Sequence, residues 1–407
     1  MLENNREEIR IAHPDGTWAA THLAERLAGP ESLSIGGQAV LQQCRFYVDD
    51  VDDGSGVVEK WRASRKGGVA VVLSEGYFPF GANVRFRQGA RYAANHVRVT
   101  LDIAWPKGAT VRRHFGIGSL ILPGRWMRFY SVPPAAHWAE GVQPEWRDIP
   151  APGEQPLMIA HWHRAPLALV FEREDGTAVE IGTGSDVWRW EHGLGQGPEQ
   201  GSYKVSLEKD GLHLLREPLM CCAEFAPEAR DYRFSWYVAW RPPGAAPAWD
   251  APGPVVVDLD SPVPPASGAA ALSLVADFAA VEWASTCRRV PSALAYVRGE
   301  RTPHVCWHSS QVQSAARRLI RRLAAAAPSG HLDLHGVTPG LCWDPAHLDR
   351  HSDNGLAHWD INAILEFGEW ARQQLGLGWH IRADAGPLAC LPSLQGLFGP
   401  NGFETEA

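Results

Sequence analysis

Apolar residues recur at every second position through much of this chain, and that period restricts the fold more than any other feature. From about residue 35 to residue 240, short runs of this kind are separated by glycine, proline and aspartate. A period of two places successive side chains on opposite faces of a strand. Because no long helical segment separates the runs, the pattern predicts many antiparallel strands and disfavours a parallel sheet.

The segment "HVRVTLDIAW" (96–105) shows the alternation most clearly. Val97, Val99 and Leu101 fall on one face of the predicted strand, and His96 and Arg98 fall on the other. One face is therefore predicted to be core and the other to look outward. A second strand, "YRFSWYVAW", has an unusually aromatic face, and Asp-Gly pairs at 175–176 and 210–211 predict hairpin turns.

The chain is predicted to be mainly β, with a large antiparallel β-sandwich followed by a helix-rich C-terminal region. The sandwich is expected over residues 1–241, a Pro/Gly-rich linker over 242–269, and a helix-rich α+β region over 270–407. Within the last region, a helical period predicts helices, and "HLDLHGV" predicts a strand. The predicted helices cover 271–285, 311–327 and 361–376.

Charge, cysteines and hydropathy exclude several classes of protein. The net charge of −8 is unlike that of a general nucleic-acid binder, which usually carries a basic surface. Seven scattered cysteines without a CxxC spacing indicate reduced thiols, and neither a disulfide framework nor a zinc knuckle is indicated. The N-terminus lacks the pattern of a signal peptide and no segment approaches about 18 consecutive apolar residues, so we expect a cytoplasmic protein without membrane contact or cofactor.

Tryptophan is abundant, with 18 residues, and several stand beside arginine or histidine. Indole faces flanked by hydrogen-bonding groups suit sugar rings, whose C–H faces pack on aromatic surfaces. The alternative is that the indoles fill the space between two sheets. Likewise, the arginines between 85 and 128 either bind a uronate carboxylate or serve as ordinary surface cations. The candidate saccharide-binding residues are Arg98, Arg128, Trp162, Trp188 and Trp190.

Histidines near these tryptophans are the candidate catalytic groups. On a strand, His161 and His163 share a face, where they would serve as a general acid and base or as two metal ligands. Glu191 and His192 precede a glycine-rich loop that would present them to a cleft. The alternatives without a functional role are that His161 and His163 form an ordinary surface pair, and that Glu191 and His192 are a charged pair at the end of a hairpin.

The segment "RYAANHVRVTLDIAWP" (91–106), in its Trp-rich context, resembles the β-supersandwich of the galactose-mutarotase-like superfamily. This fold occurs in sugar epimerases and in domains of glycoside hydrolases and polysaccharide lyases, and the resemblance covers the first two-thirds of the chain. It implies a histidine general acid and a glutamate general base on facing strands. The residues of matching type are His96, His161 and His163, with Glu172 and Glu191.

The segment "DRHSDNGLAHWD" (349–360) concentrates acids and histidines before an apolar helical run. As a calcium loop it fails, because its glycine is seventh instead of sixth and the final bidentate glutamate is absent. Two alternatives remain: a transition-metal site and a helix start capped by Asp353 or Asp360. The metal alternative uses Asp349, His351, Asp353 and His358, with His347, His331 and His335 as further donors.

A polar stripe follows this segment at helical spacing, from His358 through Asn362, Glu366 and Glu369 to Gln373. It is either a solvated helix edge or a source of acid/base carboxylates. Taken together, these features of the sequence predict a carbohydrate-active protein. We expect an enzyme that acts on a glycoside or uronic-acid-containing saccharide by acid–base chemistry with a histidine and a carboxylate. The alternatives are a non-catalytic carbohydrate-binding module and a structural or assembly β-sandwich protein.

Overall fold

In the computed structural model, the chain forms two compact units. They are Met1–Pro134 with Glu145–Gly244, and Ala135–Pro144 with Ala245–Ala407. The structure describes residues 2–4, 8–23, 26, 29–48, 51–52, 56–66, 69–79, 84–93, 95–108, 115–132, 145–153, 155–162, 166–183, 203–216, 231–244, 255–256, 272–277, 294–297, 300–335, 337, 341–342, 344, 347, 358–359, 361–376, 379–383 and 391–394.

The first unit is built from strands. In chain order they are β1 (Leu2–Asn4), β2 (Glu8–Ala12), β3 (Trp18–Leu23), β4 (Ser32–Ile35), β5 (Gln38–Val48), β6 (Val51–Asp52), β7 (Val57–Lys66), β8 (Val69–Phe78), β9 (Val84–Tyr92), β10 (His96–Ala104), β11 (Phe115–Pro123), β12 (Arg128–Val132), β13 (Arg147–Asp148), β14 (Leu157–Trp162), β15 (Ala168–Glu172), β16 (Ala178–Thr183), β17 (Tyr203–Glu208), β18 (Gly211–Arg216) and β19 (Asp231–Arg241).

These strands form two large antiparallel sheets. The first has the order β1-β2-β3-β4-β5-β11-β18-β17-β14, with β6 also paired to β5. The second has the order β13-β12-β15-β16-β19-β10-β9-β8-β7. The predicted hairpin turns at Asp175-Gly176 and Asp210-Gly211 connect β15 to β16 and β17 to β18, and both glycines have positive φ angles.

One apolar core lies between the sheets, because a single cluster of buried side chains draws on both of them. Ile9 and Leu122 enter it from the first sheet, and Val97, Leu101 and Trp236 from the second. This confirms the predicted mainly β class and the predicted sandwich. Five tryptophans lie in the core, and for these the space-filling interpretation is correct. They are Trp18, Trp105, Trp126, Trp236 and Trp240.

The described part of the second unit combines strands with helices. They are β20 (Val255–Val256), β21 (Leu272–Asp277), β22 (Leu294–Val297), β23 (Glu300–Val305), α1 (Ser310–Ala326), β24 (Gly330–His335), β25 (Leu341–Cys342), β26 (His358–Trp359), α2 (Ile361–Leu375) and β27 (Trp379–Ala383). β20, β21, β24 and β27 form a parallel sheet, while β22 pairs with β23 and β25 pairs with β26.

The helices α1 and α2 confirm the predictions for 311–327 and 361–376, and β24 confirms the strand "HLDLHGV". Helix α1 buries Val312, Leu319 and Leu323 at helical spacing, as an amphipathic helix does. The prediction of a helix over 271–285 is wrong at its start, because residues 272–277 form strand β21. A short apolar run does not distinguish a buried parallel strand from a buried helix, and pairing with β20 and β24 decides the outcome.

In the described part of the chain, no helix is both long enough and apolar enough to span a membrane.

Candidate functional site

The candidate site lies on the face of the second sheet that is turned away from the apolar core, here called the outer face. On β10, Val97, Val99 and Leu101 enter the core, so the alternating residues His96 and Arg98 lie on the outer face, as the sequence predicts. Both side chains are nevertheless buried. Buried polar groups outside the core are unusual enough to mark a candidate site.

The register of three adjacent strands brings a histidine and a carboxylate to the same face. Ala239 on β19 is paired with His96 on β10 and with Glu180 on β16. The small alanine therefore lies between the two, and their Cα atoms are separated by two strand spacings, or about 10 Å. Two residues along the strand, and so on the same face, Tyr237 lies between Arg98 and Gly182 in the same way.

Tyr237 and Glu180 are joined by a direct hydrogen bond. The Tyr237 hydroxyl donates to Oε1 of Glu180 over 2.6 Å, and both side chains are fully buried. The tyrosine ring lies over Gly182 so closely that a Cβ at this position would come within 2.1 Å of Cζ of Tyr237. Glycine is therefore required here for close approach. We call His96, Arg98, Glu180 and Tyr237 the outer-face cluster.

His96 also contacts a second polar residue at the start of its strand. Its Nδ1 atom lies 3.3 Å from Oδ1 of Asn95, while Nδ2 of Asn95 donates to the carbonyl of Trp240 over 3.2 Å. Asn95 is buried, and these contacts fix its amide beside the imidazole. The imidazole therefore has a defined position relative to the sheet.

A second group of charged residues lies on the same outer face, on strands β12 and β15 near the β13 edge of the sheet and on β19. Glu172 accepts a hydrogen bond from Nε of Arg128 at 2.8 Å and another from Nη2 of Arg241 at 2.5 Å. The guanidinium of Arg128 lies over the ring of Trp146, 4.3 Å from its centroid. We call Arg128, Glu172, Arg241 and Trp146 the rim cluster.

The rim cluster holds two guanidinium groups and one carboxylate, so it has a surplus positive charge. The Arg128 side chain is 44% exposed, whereas those of Glu172 and Arg241 are largely buried. Arg128 is therefore the member that faces solvent and can bind an additional anionic group. Guanidinium is well suited to a carboxylate, which it binds through two parallel hydrogen bonds.

A third polar pair lies inside the sandwich. Nδ1 of His22, on β3 of the first sheet, is 2.8 Å from the hydroxyl of Tyr92 on β9 of the second. Burial lowers the pKa of His22 to about 4 and raises the pKa of Tyr92 well above its usual value, with Cys44 adding to the second effect. Both groups are therefore neutral near pH 7 and act as a hydrogen-bonded link between the two sheets.

The structure brings some of the predicted residues together and separates others. His96 and Arg98 share the outer-face cluster and Arg128 lies in the rim cluster. The backbone of His161 and Trp162 belongs to β14, at the edge of the first sheet, so these residues do not share a sheet with His96. The predictions for His163, Trp188, Trp190, Glu191 and His192 lie outside the described residues and stay predictions.

The residues that sequence reasoning missed are Glu180 and Tyr237. Glu180 stands between the core residues Val179 and Ile181, so the alternation in the sequence was enough to place it on the opposite face of the strand. The pairing of β16 with β19, which brings the carboxylate to His96 and Tyr237, is not encoded in any local pattern.

The polar stripe predicted along the last helix is not continuous. His358 belongs to β26, and helix α2 begins only at Ile361, so the histidine is not a member of a helical stripe. Glu366 and Gln373 are exposed, as a solvated edge predicts, but Glu369 is buried. The stripe is therefore neither wholly solvated nor wholly enclosed.

The metal alternative at Asp349, His351 and Asp353 lies outside the described residues, and His358 is described only in its backbone. His347, which the sequence offered as a further donor, is buried close to two cysteines. Suitable donor atoms of Cys306, Cys342 and His347 all lie within 4.8 Å of one another. The sequence alone did not indicate this group, because the two cysteines lie far apart in the chain.

Comparisons with known proteins give similarity at the level of structure. No protein-family profile matches the chain, and a comparison with curated proteins likewise finds no match. A galactose mutarotase related enzyme from Lactobacillus acidophilus is 8% identical over 59% of this chain and 97% of its own, with a TM-score of 0.31.

Two larger proteins are also similar. A variant of a family 97 glycoside hydrolase from Pseudoalteromonas sp. strain K8 is 8% identical, with a TM-score of 0.36, over 89% of this chain and 53% of its own. A mutant heparan sulfate lyase from Pedobacter heparinus is 10% identical, with a TM-score of 0.33, over 61% of this chain and 37% of its own. This chain thus spans about half the length of the hydrolase and less of the lyase.

Proposed function

We propose that this protein is a carbohydrate-active enzyme that acts on a glycoside or uronic-acid-containing saccharide by proton transfer between the sugar, a histidine and a carboxylate. The observation that carries the proposal is the pair His96 and Glu180, on one sheet face with only Ala239 between them. An imidazole and a carboxylate held apart on a rigid sheet can serve opposite sides of one sugar ring.

In this proposal Tyr237 is a positioning residue, because its hydroxyl holds the Glu180 carboxylate in place. Arg98, next to Tyr237 in the register, and the half-exposed Arg128 are the proposed carboxylate-binding groups. Guanidinium groups at two points of the same face favour a substrate with an anionic ring substituent over a neutral one. The ligand is thus a saccharide; nucleic acid and membranes are not proposed partners, and we retain the cytoplasm as the proposed location.

A panel of neutral and uronic-acid-containing saccharides tests the ligand class by thermal shift. We expect uronate-containing oligosaccharides to raise the melting temperature more than neutral ones of equal length. Arg128→Gln should remove that preference, whereas Arg87→Gln, on β9 of the same sheet and highly exposed, should retain it. If no saccharide raises the melting temperature, the carbohydrate proposal fails.

Variants of the histidine and the carboxylate test the chemistry on any saccharide that the panel identifies. His96→Gln and Glu180→Gln should each lower kcat at least about tenfold. Circular dichroism should show that both variants remain folded. His213→Gln and Glu75→Gln, both exposed, are the matched controls and should keep the full rate. His163→Ala and Glu191→Gln test the residues that the sequence alone favoured, and losses confined to these two would refute the assignment to His96 and Glu180.

A carbohydrate-binding module without catalysis is the second candidate, and the exposed Arg128 guanidinium stacked on Trp146 favours it. Such a module would bind a saccharide through an aromatic ring and a cation without any proton transfer. Saccharide binding that is lost in Trp146→Ala and unaffected in Glu180→Gln, with no turnover of the bound sugar, would decide for this candidate.

A further inference from the structure

Three side chains in the second unit converge within a small buried volume. Cys306 directly follows β23, Cys342 ends β25, and His347 lies five residues beyond Cys342. Their donor atoms lie within 4.8 Å of one another, and Sγ of Cys342 is 3.4 Å from Nδ1 of His347. Two sulfurs and one imidazole nitrogen at such distances are the ligand types of a zinc site.

The separation of sulfur and nitrogen agrees with a shared tetrahedral ion. Zinc bonds of about 2.3 Å to sulfur and about 2.0 Å to nitrogen, at a tetrahedral angle, place the two ligand atoms roughly 3.5 Å apart. The observed distance of 3.4 Å is close to this value. The sulfur of Cys342 and the nitrogen of His347 therefore need little movement to bind one ion, and the donor atom of Cys306 lies within 4.8 Å of both.

Asp344 supplies the contacts that usually surround such ligands. Its backbone N–H donates to Sγ of Cys342 over 3.4 Å, and its Oδ2 atom lies 3.8 Å from Nε2 of His347. A carboxylate on the Nε2 side favours the tautomer with its proton there, which leaves the Nδ1 lone pair free for a metal. The N–H donor in turn favours the thiolate form of Cys342 that a metal requires.

A second sulfur distinguishes a metal site from a catalytic thiol. Cys342, His347 and Asp344 follow the order of a nucleophile, a base and an orienting acid, but the donor atom of Cys306 also lies within 4.8 Å of those of Cys342 and His347. Cys306 has a role in ion binding and none in such a triad.

We infer that Cys306, Cys342 and His347 bind one Zn²⁺ ion, with Asp344 as a positioning residue for the imidazole. On binding, each thiol gives its proton to solvent, and the ion exchanges water for the two thiolates and the imidazole and keeps one water as its fourth ligand. The two thiolate charges balance the charge of the ion, so a neutral centre results in a buried environment. The ion ties the end of β23 to β25 and to the turn that contains Asp344 and His347.

The metal content of the intact protein is the first test, because it needs no variant. After incubation with zinc and dialysis, mass spectrometry should find about one zinc ion per chain and little iron or copper. Replacement of zinc by cobalt should produce the intense visible bands of tetrahedral Co²⁺ and a thiolate-to-cobalt charge-transfer band. A protein without zinc, a predominance of another metal, or a Cys306–Cys342 disulfide in the purified chain would overturn the inference.

Variants then assign the ligands. Cys306→Ser and His347→Ala should lose the charge-transfer band or the bound ion, whereas His347→Cys, which offers a third thiolate, should retain metal. Cys44→Ser is the matched control, since Cys44 is also a buried free thiol but lies in the sandwich, and it should bind zinc like the native chain. If Cys306→Ser keeps full zinc and an unchanged cobalt spectrum, Cys306 is not a ligand and the inference is wrong.

Discussion

His22 is a buried histidine whose charge state couples the stability of the sandwich to pH. Burial lowers its pKa from 6.5 to about 4, so in the folded chain it stays neutral at pH values where the unfolded chain binds a proton. The free energy of unfolding therefore decreases as the pH falls from about 6.5 to about 4. Below about pH 4, His22 causes no further decrease. The difference in pKa corresponds to about 3 kcal/mol of stability lost across this interval.

Urea unfolding between pH 4 and pH 7 measures this effect. Carboxylates also titrate in the interval, so the comparison is between the native chain and His22→Gln, which retains a polar partner for Tyr92 but does not titrate. We expect the native chain to lose more stability than His22→Gln, by about 3 kcal/mol at pH 4 relative to pH 7. Parallel pH dependences of the two proteins would contradict the assignment to His22.

Gly182 is the residue on which the geometry of the outer-face cluster most directly depends. Gly182→Ala would place a methyl group where the Tyr237 ring lies, so the ring and its hydrogen bond to Glu180 must shift. We expect a loss of at least about 2 kcal/mol in the free energy of unfolding. Gly89→Ala is the control, because its added Cβ would meet only the flexible end of Leu73 at 3.3 Å and should cost under about 1 kcal/mol. Equal effects of the two substitutions would argue against a special fit at Gly182.

At the level of single residues, the sequence predicted which side of a strand a side chain takes, but not its partners. His96 and Arg98 lie on the outer face because their neighbours Val97 and Val99 are core residues, and a period of two encodes this directly. The contact of Tyr237 with Glu180 joins residues 57 positions apart. It depends on strand order and register, which local periodicity does not contain.

Among the elements, those with a sustained period were predicted well and short apolar runs were not. Strand β10 and helices α1 and α2 follow their patterns over nine or more residues. Residues 272–277 form a strand that pairs with parallel neighbours on both sides, and strands of parallel sheets commonly lack the alternation that marks a strand in a sequence. The convergence of Cys306 with Cys342 could not be predicted either, since Cys306 follows β23 and Cys342 ends β25, and these strands belong to different pairs.

Glu172 joins three strands of the second sheet, because it lies on β15 and binds Arg128 of β12 and Arg241 of β19. Glu172→Gln removes the negative charge and leaves two guanidinium groups close together. We expect it to lower the free energy of unfolding by about 2 kcal/mol, less than for a fully buried pair because Arg128 is partly exposed.

Glu75→Gln is a matched control for this prediction in the same sheet. Glu75 binds Arg87 through a single pair whose side chains are 46% and 68% exposed, so its loss should cost under about 1 kcal/mol. Chemical denaturation of both variants at low and high salt measures the difference. If the two variants lose the same stability, Glu172 has no special role in joining the strands.

At the scale of the whole molecule, each of the two units contains its own buried residues. The sandwich depends on one apolar core and on the link between His22 and Tyr92. The second unit has its own buried residues, such as Leu319, Ile364 and Phe367, together with the proposed zinc ligands. An agent that acts on one set of contacts should therefore act first on its own unit.

Removal of zinc tests this division. Because a bound ion stabilises only the folded form that holds its ligands together, a strong chelator should lower the stability of the second unit by the binding free energy that is lost. Hydrogen exchange measured by mass spectrometry should then show faster exchange in peptides from α1 and β24, while peptides from β9 and β10 keep their protection. The Cys306→Ser variant should resemble the chelated protein and should not respond further to the chelator. Faster exchange in β9 and β10 to the same extent would mean that the ion supports the whole chain, and unchanged exchange throughout would mean that no stabilising ion had been bound.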